Sequence, residues 1–240
     1  MQVGPIHFDS FGAQHAITVG ILAAAIAAMC WIGRSLQGTP GGRRYEIGLS
    51  VGVWALWFAY QAYDFSRHGW DPRHTLPLQM CDFAAIIAAL MFLRPTRGLQ
   101  SLAYFWGLAL GSQAVITPDV AGGPSSLSFW AFWLYHLFVV GAGVYVVAVQ
   151  RFRPEWKDLR FALLMGVLYV AAMFTIDAMF DLNYGYVGRG TPSRPTLLDV
   201  LGPWPLRVVF MVLLGAAAMT LLWLPWPLLR RRKEGRTGPP

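Results

Sequence analysis

Apolar residues run in seven long stretches along the 240-residue chain, and the polar residues gather in the gaps between them. Uncharged runs of about 17 to 25 residues are long enough to cross a bilayer as helices. In hydrocarbon a segment must satisfy its own backbone N–H and C=O groups, which a helix does. The pattern predicts helices near 12–33, 46–64, 77–93, 98–117, 128–150, 159–180 and 205–229. The expected fold is all-α, a bundle of seven transmembrane helices forming one domain over 1–240. Residues 230–240 are expected to form a disordered basic cytoplasmic tail.

Composition agrees with that pattern. Charged residues make up 13% of the chain, where a soluble domain carries about 25%, and the mean hydropathy is +0.46. The net charge of +7 is no nucleic-acid signal, because the basic residues sit in short connections and in the tail. Arg34, Arg43 and Arg44 follow the first stretch, and Arg94 and Arg97 separate the third from the fourth. Arg151, Arg153, Lys157 and Arg160 lie between the fifth and sixth, and Arg230, Arg231, Arg232, Lys233 and Arg236 follow the seventh. Every second loop is therefore basic. By the positive-inside rule this predicts an N-terminus outside and a C-terminus inside. The opening MQVGPIHFDSFGAQH lacks the basic region of a secretory signal, so the first helix is expected to be retained. Cys30 and Cys81 fall near opposite ends of the bundle and are read as free thiols.

Two longer connections lie on the predicted outer side. One spans 64–76, DFSRHGWDPRHTL; the other spans 181–204 and ends in the amphiphilic LLDVLGPW, a candidate lid or re-entrant turn. Trp70, Trp130, Trp204 and Trp226 fall near the predicted interfaces and read as anchors.

An ionisable group inside a span is costly, and one that persists there marks a candidate site. Such groups gather at the predicted outer ends: Cys81 and Asp82 early in the third stretch, Gln113 late in the fourth, His136 in the fifth, Asp177 late in the sixth. The inner halves look almost purely apolar. At ~1.5 Å per residue, His136 lies roughly 12 Å below Ser128 and Cys81 roughly 6 Å below Pro77. Cys81 is the natural nucleophile: sulfur is intrinsically reactive, and a helix N-terminus favours a thiolate. His136 is the one histidine deep in a span and so the candidate general base. Gln79, Asp82, Gln113, Asp177, Asn183 and Tyr184 are candidates for orienting the imidazole or binding substrate. The competing readings are structural: Cys81 as a small apolar filler, Gln113 and Asp177 as interhelical glue.

Metal chemistry is the rival, drawing on His68, His74, Cys81, Asp82 and His136, yet their spacing matches no tight zinc pattern. No metal and no cofactor are expected. The only lysines, Lys157 and Lys233, lie outside the stretches, which argues against a retinal Schiff base.

LPLQMCDFA, GSQAVITPD, FWLYHLFVV and NYGYV with LLDVLGPWP resemble the bacterial YwaF-type integral membrane proteins, which are similar to the eukaryotic transmembrane-protein-164 family. The resemblance spans the third to seventh stretches. It implies a lipid acyltransferase moving a fatty acyl chain between phospholipids through a cysteine, here Cys81, with His136 in the partner position. Gln79 stands where a histidine is expected. The resemblance implies a multi-pass protein of a bacterial plasma membrane acting on phospholipid or lysophospholipid. The reading from another class is a non-catalytic protein that binds or transports a small polar solute or proton in an outer vestibule.

Overall fold

A computed structural model describes residues 8–120, 122–190 and 200–234; among these every regular element is helical. The chain forms α1 (Ala13–Ser35), α2 (Pro40–His68), α3 (Met80–Leu93) and α4 (Arg97–Phe105). A π-helical turn (Trp106–Leu110) leads into α5 (Gly111–Ile116), followed by α6 (Leu127–Ala148) and α7 (Trp156–Phe180). A 3-10 turn (Tyr184–Tyr186), α8 (Leu206–Trp223) and α9 (Pro225–Glu234) complete it. Four helical segments are long and apolar enough to cross a membrane: Ala13–Ser35, Leu127–Ala148, Trp156–Phe180 and Leu206–Leu229. α3 is apolar but has only 14 residues, about 21 Å of helix at 1.5 Å per residue. Large side chains such as Ile21, Leu164, Leu168, Leu213 and Leu221 face outward. Contiguous apolar faces of this kind need an apolar environment, which a bilayer supplies.

Four boundaries differ from the sequence pattern, each for a local reason. α2 starts at Pro40, six residues before the predicted 46, because the Thr39 hydroxyl accepts from the Gly42 N–H at 3.2 Å and Pro40 fits the first helical turn. It continues to His68, which shortens the predicted outer loop. α3 starts at Met80 rather than 77, because Gln79 stays extended at φ −67° and ψ 150°. Cys81 is therefore the second residue of α3, at its mouth rather than a turn inside. The tail expected to be disordered over 230–240 is helical through Glu234, since Arg, Lys and Glu are good helix formers and cations suit a helix C-terminus.

α6 packs against α1 to α5. Its approach to α4 and the π-helical turn is close enough to require glycine. A Cβ on Gly107 would lie 2.5 Å from the Val139 carbonyl, and one on Gly143 would lie 2.9 Å from the Ala103 carbonyl.

The end of the bundle where α1 finishes and α2 begins is not apolar, contrary to expectation. Gln100 donates to Gln150 at 3.0 Å and Gln150 to Glu46 at 2.9 Å, linking α4, the end of α6 and α2. Arg97 grips the buried Asp158 at 2.9 and 2.6 Å, and Ser101 donates to the same carboxylate at 3.1 Å. The sequence pattern missed this layer because its members sit singly at helix ends.

Candidate functional site

The opposite end is built around the mouth of α3. Pro77 biases Leu76 toward extended backbone, and the helix begins where Gln79 and Asp82 lock: the Gln79 N–H donates to Asp82 Oδ2 at 3.0 Å. Asp82 Oδ1 accepts from Tyr135 Oη at 3.0 Å and from Gln61 Nε2 at 3.2 Å. One carboxylate thus ties α2, α3 and α6 together. Both of its oxygens are engaged by protein donors, the geometry of an orienting group.

The connection after α7 closes over this mouth. Asp181 takes a left-handed conformation, φ 53°, and turns the chain back. The Tyr184 N–H donates to Asp177 Oδ1 at 3.1 Å. Tyr184 Oη donates to the Pro72 carbonyl at 2.6 Å and accepts from the Leu76 N–H at 3.1 Å. The Gly185 N–H donates to Gln79 Oε1 at 2.9 Å, and Tyr169 Oη donates to the Leu78 carbonyl at 2.9 Å. Gly185, at φ +61°, has room for no side chain, because a Cβ there would lie 2.6 Å from Tyr169 Oη. Tyr184, expected as a binding residue, is fully buried and structural. Gln79, in the place where a histidine was expected, serves as an acceptor for this loop.

Cys81 keeps accessible surface, whereas Cys30 is buried; neither is in a disulfide. The Cys81 thiol lies within electrostatic range of the hydroxyls of Tyr60, Tyr135, Tyr169 and Tyr186. Among the described residues the Tyr60 hydroxyl makes no hydrogen bond and is free to donate. These tyrosines come from α2, α6, α7 and the 3-10 turn. Sequence reasoning missed them as site residues because it searched for a nucleophile and a base. The available signal was a phenol within an otherwise apolar span, whose hydroxyl must find a partner.

His136 is buried, with its ring 4.2 Å from the Phe132 ring. Its Nδ1 lies 2.8 Å from the Phe132 carbonyl. A carbonyl only accepts, so neutral His136 carries its proton on Nδ1 and presents a lone pair at Nε2, the form a general base needs. No hydrogen bond joins it to Cys81 among the described residues. Gln113 is engaged with Thr117 Oγ1 at 2.6 Å within its own helix end, and no hydrogen bond ties it to Cys81 or His136. Among the described residues, Asp177 Oδ2 at the end of α7 and Asn183 Oδ1 in the connection after it are buried acceptors without a partner.

His68 and His74 stack at 4.6 Å at the protein surface, and His74 Nδ1 lies 2.7 Å from Asp71 Oδ2. No three His, Cys, Asp or Glu side chains among the described residues gather as a metal cluster. Trp70 and Trp130 are exposed as anchors require, but Trp204 stacks on Phe174 and donates to the Val187 carbonyl, and Trp226 donates to Tyr104 Oη. The first three residues of LLDVLGPWP, 197–199, lie outside the described residues; Val200 and Leu201 form a short 3-10 turn, and no re-entrant element is seen over 200–205.

Four membrane-length apolar helices with outward apolar faces define an integral membrane protein carrying a polar, cysteine-bearing site. The sequence model of the TMEM164 family matches residues 10–223, so the chain belongs to the TMEM164 family. No curated protein and no solved structure matches it.

Proposed function

We propose that the protein is a cysteine-dependent lipid acyltransferase or acyl hydrolase, with seven crossings, an outer N-terminus and an inner C-terminus, in a bacterial plasma membrane. His136 Nε2 takes the Cys81 thiol proton, directly or through one water, and the thiolate attacks an ester carbonyl of a membrane phospholipid. The tetrahedral oxyanion accepts a hydrogen bond from the Tyr60 hydroxyl. The C–O bond breaks, the lysophospholipid leaves with the proton held by His136, and the acyl chain remains on Cys81 as a thioester. A second lysophospholipid hydroxyl then gives its proton to His136 and attacks the thioester, restoring the thiol; water in its place yields a free fatty acid.

One observation carries the reading: the thiol that keeps accessible surface sits at a helix N-terminus. The N-terminal partial charge of α3 works toward the thiolate, against burial and the neighbouring Asp82. Three donors on Asp82 disperse the neighbouring negative charge that opposes it.

The test is reconstitution of purified protein with acyl-labelled phospholipid. Label should move to lysophospholipid or to water, and a hydroxylamine-sensitive acyl adduct should map to Cys81. Absence of both across donor classes sinks the enzyme reading. A second reading, a vestibule that binds or moves a small polar solute or proton, draws support from the Glu46, Gln100 and Gln150 layer at the opposite end. It predicts solute or proton flux into liposomes without lipid turnover.

A further inference from the structure

Arg207 stands in the first turn of α8 and is only 5% exposed. Its Nη2 donates to the Gly188 carbonyl at 2.5 Å and to the Gly190 carbonyl. Its Nε is buried with no partner. Among the described residues no carboxylate forms an ion pair with it. A guanidinium does not shed its proton in a protein, so a full positive charge is buried against neutral carbonyls. It also sits at the helix end that already carries positive partial charge, where an anion is favoured and a cation is not. Both features call for an anion at this spot, and helix N-termini are ready anion sites. Arg189 falls in sequence between Gly188 and Gly190, whose carbonyls accept from Arg207, and its guanidinium lies 5.0 Å over the Trp204 ring. The same turn reaches the catalytic mouth: Gly185 bonds Gln79, two residues before Cys81, and Val187 accepts from Trp204.

We propose that Arg207, assisted by Arg189 and the 188–190 turn, binds the phosphodiester of a phospholipid and so sets its ester beside Cys81. The proposal rests on the lipid acyl-transfer reading for its purpose, but binding itself requires no turnover. Arginine suits the role because its planar fork matches phosphate oxygens. The glycerol backbone then spans from the 188–190 turn toward α3, and the acyl chains run along the lipid-facing sides of the helices.

Equilibrium dialysis of the full chain in maltoside micelles tests this with radiolabelled dihexanoyl phosphatidylcholine, dihexanoylglycerol and inorganic phosphate. Arg207→Gln should weaken phosphatidylcholine binding by about tenfold or more, the scale of one charge-assisted hydrogen bond. It should leave dihexanoylglycerol binding unchanged, which also reports that the site is folded. Arg207→Lys and Arg189→Gln should show smaller losses. In acyl transfer the loss should appear as a raised KM at unchanged kcat. Unchanged phosphatidylcholine affinity in Arg207→Gln overturns the proposal. Should that variant not fold, unchanged affinity in both Arg207→Lys and Arg189→Gln overturns it. Arg207-dependent binding of inorganic phosphate without phosphatidylcholine overturns the lipid source. Arg207-dependent lipid binding with no acyl-Cys81 would remove the enzyme reading and leave this site standing; an acyl-Cys81 with indifferent Arg207 would do the reverse.

Discussion

Cys81 and Cys30 share a side chain and differ in surroundings, and the difference is chemical. Cys30 is buried among apolar groups at the far end of α1, while Cys81 is accessible at the mouth of α3. Cys81→Ala should abolish acyl transfer and the thioester, with Cys30→Ala leaving both, as read by hydroxylamine release of labelled acyl chains. His136→Ala should leave a folded protein turning over about 10²- to 10⁴-fold slower, the usual scale for a general base; an unchanged rate would remove His136 from the mechanism. In the exposed connection after α2, the Arg73 N–H and the His74 side chain, both donating to Asp71, hold its carboxyl below the usual value of 3.8. A depressed folded value means the stabilisation is present above 3.8 and is lost as pH falls through the folded value. The protection of the Arg73 amide relative to its intrinsic exchange rate should therefore fall on acidification, and Asp71→Asn should flatten that dependence.

Among the elements, α3 and the 181–190 connection are interdependent. α3 gains its start from Gln79 and Asp82, and the connection gains its anchor from Gln79, Leu76 and Pro72. The contact of α6 with the π-helical turn is the other close fit, where Gly107 meets the Val139 carbonyl. Gly107→Leu should force these apart and cost roughly 1–3 kcal/mol, the usual range for overpacking. A thermal unfolding scan in micelles checks it, and an unshifted midpoint would mean that the approach relaxes freely. Residues such as Asp82 were legible as polar groups in apolar sequence, but their structural duty was not. A carboxylate reads the same whether it faces substrate or donors from two neighbouring helices and its own helix start.

For the whole molecule, loop charge predicts an orientation across the membrane that labelling can test. Single cysteines at Ser125 and Ser35, both exposed, in a Cys30→Ala, Cys81→Ala background should answer it. The cysteine at 125 should react with an impermeant maleimide added outside intact cells, and the one at 35 only after the membrane is opened. The reverse pattern would put the Cys81 mouth on the cytoplasmic face. Polarity at the end of the bundle where α1 finishes and α2 begins, unseen in the sequence, is the feature that supports the vestibule reading. Lipid turnover and solute flux measured on the same proteoliposomes distinguish the two.

Sequence alone determined the membrane character, the helical class and the places of the long helices. Those follow from local facts: the length of apolar runs, backbone satisfaction within a segment, and proline and glycine at the joints. It also singled out Cys81 and His136, because polar groups in hydrocarbon stand out one residue at a time. Tertiary structure decided what surrounds them. The tyrosines within electrostatic range of Cys81, the clamp of Asp82 on three helices, the Gln79–Gly185 link and the seat of Arg207 on the Gly188 and Gly190 carbonyls join residues from different elements. Their pairing depends on helix rotation and close approach, which no single stretch of sequence encodes.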